Sequence, residues 1–183
     1  MYETIIKENL ISKEEIDLLC SSFDKLEFSL NPSAKEDSYS SLHSYSVDHK
    51  YIHYDLIQNL DNQLIKNIQY FYKCNVKSFT GRCIVKYTEN QYINIHKDWE
   101  PTDEWVVKNK KETVHLSSVF YFNEDYVGGE LLFHNKIDNK IASTSIKPES
   151  GSVIFFDALK IHSTNPIVSG IKYSYTNFYT LGE

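Results

Sequence analysis

The spacing of apolar residues changes character near residue 76 of this 183-residue chain. Before that point hydrophobic positions recur at helical intervals; after it they alternate with polar residues or gather in short runs. Ser12-Lys13-Glu14-Glu15 has the form of a capping box, in which the serine accepts from the Glu15 amide and the glutamate reaches back. Ile16, Leu19, Cys20 and Phe23 follow at helical spacing, so the pattern predicts a helix over residues 13–26. Leu56, Leu60, Leu64, Ile68 and Phe71 predict a second amphipathic helix over 54–72. The apolar start, Ile5-Ile6 and Leu10-Ile11, reads as a short strand and turn. Residues 29–50, polar and serine-rich with Pro32 and Ser38-Tyr39-Ser40-Ser41, read as a surface loop or lid.

The second part predicts strands over 76–88, 92–98, 113–123, 130–134, 140–146, 151–156, 160–163 and 171–181. Residues 99–112, with Pro101, Trp99, Trp105 and many charges, read as a long loop. Many short strands separated by turns indicate a sandwich or barrel, with both helices covering one face of a sheet.

Composition narrows the class without choosing a function. A hydrophobic fraction of 41% indicates a packed globular domain. Fourteen tyrosines suit a polar-lined cavity, since the ring is apolar and its tip forms hydrogen bonds. The net charge of −6 disfavours nucleic acid and anionic membranes as partners; Lys108-Asn109-Lys110-Lys111 is the one dense basic run and reads as a solvated face. Cys20, Cys74 and Cys83 lack the spacing of a disulfide or zinc framework and read as buried thiols. With no signal peptide and no apolar run of spanning length, the expectation is a soluble cytoplasmic protein.

Candidate chemistry begins at Tyr92-Ile93-Asn94-Ile95-His96-Lys97-Asp98, which alternates with the period of a strand. On a strand, His96 and Asp98 project side by side. That is two-thirds of a 2-His-1-carboxylate triad, the arrangement that holds Fe(II) with open positions. His162 lies 64 residues beyond Asp98, on a strand that could pair near the one carrying His96. Lys172 follows ten residues after His162, and Ser174 shares its face. An ammonium and a hydroxyl pointing into a barrel invite a carboxylate partner. His115 shares a face with Ser117 and Tyr121 and reads as a satisfied barrel histidine, whereas His43, His49, His53 and His134 read as solvated or loop residues.

These residues, in this order, resemble the Fe(II)- and 2-oxoglutarate-dependent oxygenases, and within them the prolyl 4-hydroxylase-like branch. Further segments carry the resemblance: Tyr87, nine residues before His96; Phe120-Tyr121-Phe122-Asn123 followed by Gly128-Gly129-Glu130; and Lys147-Pro148-x-x-Gly151 leading to Phe155-Phe156. Between Tyr87 and His96 the stretch Thr88-Glu89-Asn90-Gln91 lacks the glycines common in relatives, and this leaves the substrate open.

The resemblance implies a double-stranded β-helix, a cupin-like jelly roll, in a single domain over 1–183. Residues 1–75 would be its helical support and 76–183 its catalytic core. It implies Fe(II) on His96, Asp98 and His162, with 2-oxoglutarate anchored by Lys172, Ser174, Tyr121 and Tyr87. O2 would be the co-substrate and ascorbate a candidate reductant. An aspartate at position 98 implies hydroxylation rather than halogenation. The implied activity is hydroxylation of a peptidyl residue such as proline, releasing succinate and CO2. A free amino acid or other small metabolite as substrate, and a non-catalytic metal-binding jelly roll, stand as alternatives.

Overall fold

The computed structural model describes residues 2–30, 42–100, 113–137 and 140–182. Pro32, the run 38–41, Trp105 and the basic run 108–111 all lie outside these residues.

The first helix, α1 (Lys13–Phe23), starts with both bonds of the capping box: Ser12 Oγ accepts from the Glu15 amide at 3.2 Å and Glu15 Oε2 accepts from the Ser12 amide at 2.8 Å. It ends earlier than residue 26 because the amides of Lys25 and Leu26 bond three residues back, to Ser22 and Phe23, and tighten the chain out of the α-helix. The second helix, α2 (Tyr54–Tyr72), has the predicted limits. Its buried stripe is Ile57, Leu60, Leu64 and Ile68, with Leu56 only half-buried at the edge, so the inward register begins one residue later than the sequence pattern indicates. Lys73 closes it in the left-handed region at φ 53°.

Among the described residues, thirteen strands run β1 (Ile5–Lys7), β2 (Ser29–Leu30), β3 (His43–Ser46), β4 (Asn75–Tyr87), β5 (Ile93–His96), β6 (Leu116–Tyr121), β7 (Val127–Gly128), β8 (Leu131–Ile137), β9 (Lys140–Ile146), β10 (Val153–Asp157), β11 (His162–Thr164), β12 (Ile167–Ser169) and β13 (Lys172–Gly182). All pair antiparallel: a seven-stranded sheet in the order β1-β10-β6-β13-β4-β3-β2, a four-stranded sheet β5-β11-β8-β9, and the small pair β12-β7. The fold is the expected jelly-roll type with two helices.

Three differences from the sequence reading have physical causes. The stretch 29–50 is not loop throughout, because β2 and β3 extend the large sheet along β4. Strand β5 stops at His96, leaving Asp98 on a bend. Strand β12 is additional; its pairing with β7 is a long-range contact that no local periodicity announces.

The middle of the large sheet is buried on both faces, which explains why β10 is buried at every position, while the edge strands β1 and β2 are largely exposed. Val153 and Phe155 join Leu19, Phe23, Leu60 and Ile68 in the helix-side core, while Ile154 and Phe156 face the four-stranded sheet with Leu131 and Phe133. The helices thus stiffen the sheet from behind, and its other face is left to line the space between the sheets. Among the described residues, no helix is long and apolar enough to cross a membrane. Cys20, Cys74 and Cys83 are free thiols, half-buried rather than buried.

Candidate active site

His96 ends β5 and His162 opens β11, and the two are register partners in the antiparallel ladder. That pairing brings their rings to 4.1 Å between centroids. Asp98 reaches them from the bend after β5, not from the strand face expected of it. Its amide and that of Trp99 both donate to the Ala158 carbonyl, at 3.0 and 3.1 Å, and this turns the carboxylate towards the histidines. Asp98 Oδ1 lies 3.3 Å from His96 Nε2 and 3.6 Å from His162 Nε2. One ligand atom from each residue fits within 4.8 Å of the others, a group that could hold a metal ion.

The far nitrogens are also committed. Nδ1 of His96 lies 2.8 Å from the Asn94 carbonyl, and Nδ1 of His162 lies 2.8 Å from the Lys160 carbonyl. A carbonyl only accepts, so each Nδ1 carries the proton and each Nε2 offers its lone pair to the centre. Phe156 packs edge-on against His162 at 4.8 Å. Burial opposes ionisation of Asp98 most strongly, yet His162, His96 and Ser117 together hold its carboxyl below the usual range. Burial likewise disfavours charge on His162 and lowers its pKa. At His96 burial is outweighed by the hydrogen bond and charge of Asp98, and the pKa rises. A divalent transition metal would replace the proton that His96 shares with Asp98, leaving one carboxylate and two Nε2 lone pairs as its donor set.

The second half of the site stands on the large sheet. Lys172 pairs with Tyr87 across β13–β4, and Ser174 pairs with Tyr121 across β13–β6, so the four side chains share the face towards the four-stranded sheet. Lys172 is 1% exposed and its ammonium donates to the Gly129 carbonyl at 2.8 Å. The rings of Tyr87 and Tyr121 lie 4.6 and 5.1 Å from it. Burial drives its pKa down to about 7, against the opposing pull of Glu130. Ser174 Oγ and the Tyr126 hydroxyl are buried with no hydrogen-bond partner among the described residues. Burial raises the pKa of Tyr121 well above its usual value and that of Tyr126 to about 12, so both keep their protons at neutral pH. An ammonium with one bond beside unpaired hydroxyls forms a receptacle for an anion with several acceptor oxygens.

Sequence reasoning missed two parts of this receptacle. The Gly129 carbonyl reaches Lys172 because the residue sits at φ +70°, and an added Cβ would meet Ile167 at 2.6 Å and Tyr126 at 3.1 Å. Tyr126 had only one sequence signal, its place just before Val127-Gly128-Gly129. Elsewhere, His115 is a satisfied histidine, its Nδ1 accepting from the Leu181 amide at 3.2 Å. His134 is not a loop residue: it lies on β8, half-buried between Ser143 and Ser163, each at 2.8 Å. His43 stands on β3. The glycine-free turn after Tyr87 closes through Asn90, which takes the left-handed φ of 66° that a glycine would otherwise supply, and docks on Ile167.

Solved structures of known proteins share this fold. Among solved structures, a prolyl-4-hydroxylase from Pseudomonas putida aligns over 98% of this chain and 93% of its own, at 16% identity and a TM-score of 0.75. A prolyl hydroxylase from Trichoplax adhaerens, solved with a hypoxia inducible factor peptide fragment, aligns over 96% and 82%, at 14% identity and a TM-score of 0.74. A viral collagen prolyl hydroxylase from Paramecium Bursaria Chlorella virus-1, solved with 2-oxoglutarate, aligns over 97% and 96%, at 18% identity and a TM-score of 0.69. At these identities the likeness speaks for the fold. No curated protein sequence matches. The family model of the 2OG-Fe(II) oxygenase superfamily, however, matches residues 83–180, more than half of the 183-residue chain and the part that holds His96, Asp98, His162 and Lys172. The chain therefore belongs to the 2OG-Fe(II) oxygenase superfamily and is a 2-oxoglutarate-dependent dioxygenase.

Proposed function

We propose that this dioxygenase hydroxylates an unactivated C–H bond of a peptidyl residue, with proline the leading candidate. The observation that carries the reading is the pairing of two features between the sheets: a His-Asp-His group, and a lysine–hydroxyl receptacle suited to a dicarboxylate. His96 and His162 would bind Fe(II) through Nε2 and Asp98 through a carboxylate oxygen. Lys172 would hold the far carboxylate of 2-oxoglutarate, with Ser174, Tyr126 and Tyr121 donating to the remaining lone pairs and Tyr87 walling the ammonium. With Asp98 as a ligand no vacancy would be left there for a halide, which favours hydroxylation.

Held by His96, Asp98 and His162, iron would supply the oxidising power with 2-oxoglutarate and O2, and the proposed products are the hydroxylated residue, succinate and CO2. The chain contributes orientation and dryness. Phe156, Ile154 and Phe133 form an apolar wall on the His162 side. The unpartnered hydroxyls keep the receptacle poised without rearrangement. Peptidyl proline draws support from the names of the structural relatives, one of them solved with a peptide fragment.

The test is anaerobic addition of Fe(II) and 2-oxoglutarate to the wild type and to His162→Ala. A weak visible charge-transfer band in the wild type, absent from the variant, is expected. Succinate release stimulated by proline-rich peptides would then identify the substrate class. A folded wild type that shows no band with iron in excess overturns the reading and leaves a non-catalytic jelly roll as the better account. A band with succinate release on free amino acids but not on peptides overturns the peptidyl assignment alone.

A further inference from the structure

Two of the three proposed metal ligands are held by one short turn. The turn Asp157–Lys160, closed by the Lys160 amide bonding to the Asp157 carbonyl at 2.9 Å, joins β10 to the segment leading into β11. Its Ala158 carbonyl takes both amides flanking the Asp98 bend, and its Lys160 carbonyl lies 2.8 Å from Nδ1 of His162. A shift of this turn would therefore rotate the Asp98 carboxylate and release the His162 ring together. His96 is independent of it, because its Nδ1 faces Asn94 on its own strand.

Backbone bonds hold part of the turn, the Ala158 amide donating to the His115 carbonyl at 3.2 Å and the Lys160 amide to Asp157, and the Asp157 side chain, 5% exposed, adds two more. One oxygen accepts from the Leu159 amide at 2.9 Å, inside the turn, and the other from the Tyr2 amide at 2.7 Å, on the approach to β1. An aspartate at the first position of a turn is common and by itself means little. The distinguishing feature is that two of its carbonyls, those of Ala158 and Lys160, are spent on proposed metal-ligand residues.

We infer that Asp157 is a positioning residue for the metal centre, fixing through the 157–160 turn the orientation of Asp98 and His162. It rests on the assignment of His96, Asp98 and His162 as metal ligands. Outer partners that orient ligands typically change metal affinity by about 10- to 100-fold when removed.

Co(II) alone is the probe, titrated into the full chain while its ligand-field absorption and dissociation constant are read, with far-UV circular dichroism confirming the fold. Asp157→Ala is expected to weaken Co(II) binding by about 10- to 100-fold and to change the shape of the ligand-field bands. Asp157→Asn keeps a carbonyl oxygen for the Leu159 amide but sets an NH2 against the Tyr2 amide, so its affinity should lie between those of the wild type and Asp157→Ala. If Asp157→Ala does not fold, Asp157→Ser takes its place, since a hydroxyl caps the turn more weakly and does not reach Tyr2. A folded Ala or Ser variant with Co(II) affinity within twofold of wild type and an unchanged spectrum overturns the inference, even if its melting temperature falls. Wild type that leaves Co(II) unbound overturns the metal assignment itself, a result distinguishable from the first.

Discussion

Lys172 carries an ammonium into a place where burial lowers its pKa to about 7. The unfolded chain holds that proton up to about pH 10. Between those values the unfolded state binds more protons than the native one. The ligand-free protein therefore gains stability from this group as pH rises from about 7 towards 10, and bears the full burial cost below 7. Replacing the lysine by an isosteric apolar side chain removes that cost. Lys172→Met is expected to raise the melting temperature of the ligand-free protein at pH 6–7 by a few degrees, while weakening 2-oxoglutarate by about 100-fold. Calorimetry with and without the oxo acid checks both. The same lysine makes co-substrate binding pH-dependent. The dicarboxylate selects the protonated form, so its affinity should fall as pH rises above about 7, approaching tenfold per unit. A flat titration of the dissociation constant between pH 7 and 9 would show that the charge is not lost there.

Ser12 and Glu15 lie three residues apart, so their capping box was legible in sequence and formed as written. Ser12→Ala should cost about 1 kcal/mol, lowering the melting temperature by about 2–4 °C. Co(II) affinity should not move, since α1 packs behind the large sheet and touches no ligand. An affinity change would show that the helix does more than support. Leu64, fully buried on α2, tests the same layer more severely: Leu64→Ala is expected to lose about 2–5 kcal/mol in chemical denaturation. Strand limits were less legible than helices. The alternation through Tyr92–Asp98 suggested a strand to residue 98, but pairing with β11 ends at His96 and the Ala158 carbonyl takes over the backbone beyond it.

The molecule places its chemistry between two sheets, with metal-ligand candidates from the four-stranded sheet and its loops and the anion receptacle on the seven-stranded one. Metal and oxo acid together should therefore clamp the sheets. Co(II) plus 2-oxoglutarate is expected to raise the melting temperature more than either alone, by an amount set by the logarithm of saturation, about 2.7 kcal/mol at 100 times the dissociation constant. Chelation should reduce the shift to that of the oxo acid alone, and thermal scans with and without EDTA measure it.

Residue order alone announced the candidate ligands and anchors, and the elements built from near neighbours. A capping box, a helical stripe and the two-residue offset of His96 and Asp98 are local relations, and local relations survive in a linear string. The tertiary structure alone decided how the distant pieces meet. It decided that His162 faces His96 in register, that Asp98 arrives on a bend held by Ala158, and that the Gly129 carbonyl and the Tyr126 hydroxyl close the lysine receptacle. It also paired β12 with β7 and set Asn90 in a left-handed turn against Ile167. Each of these joins segments that no short-range preference links. They form when burial of the sheet faces brings unpaired carbonyls, amides and hydroxyls to partners across the fold.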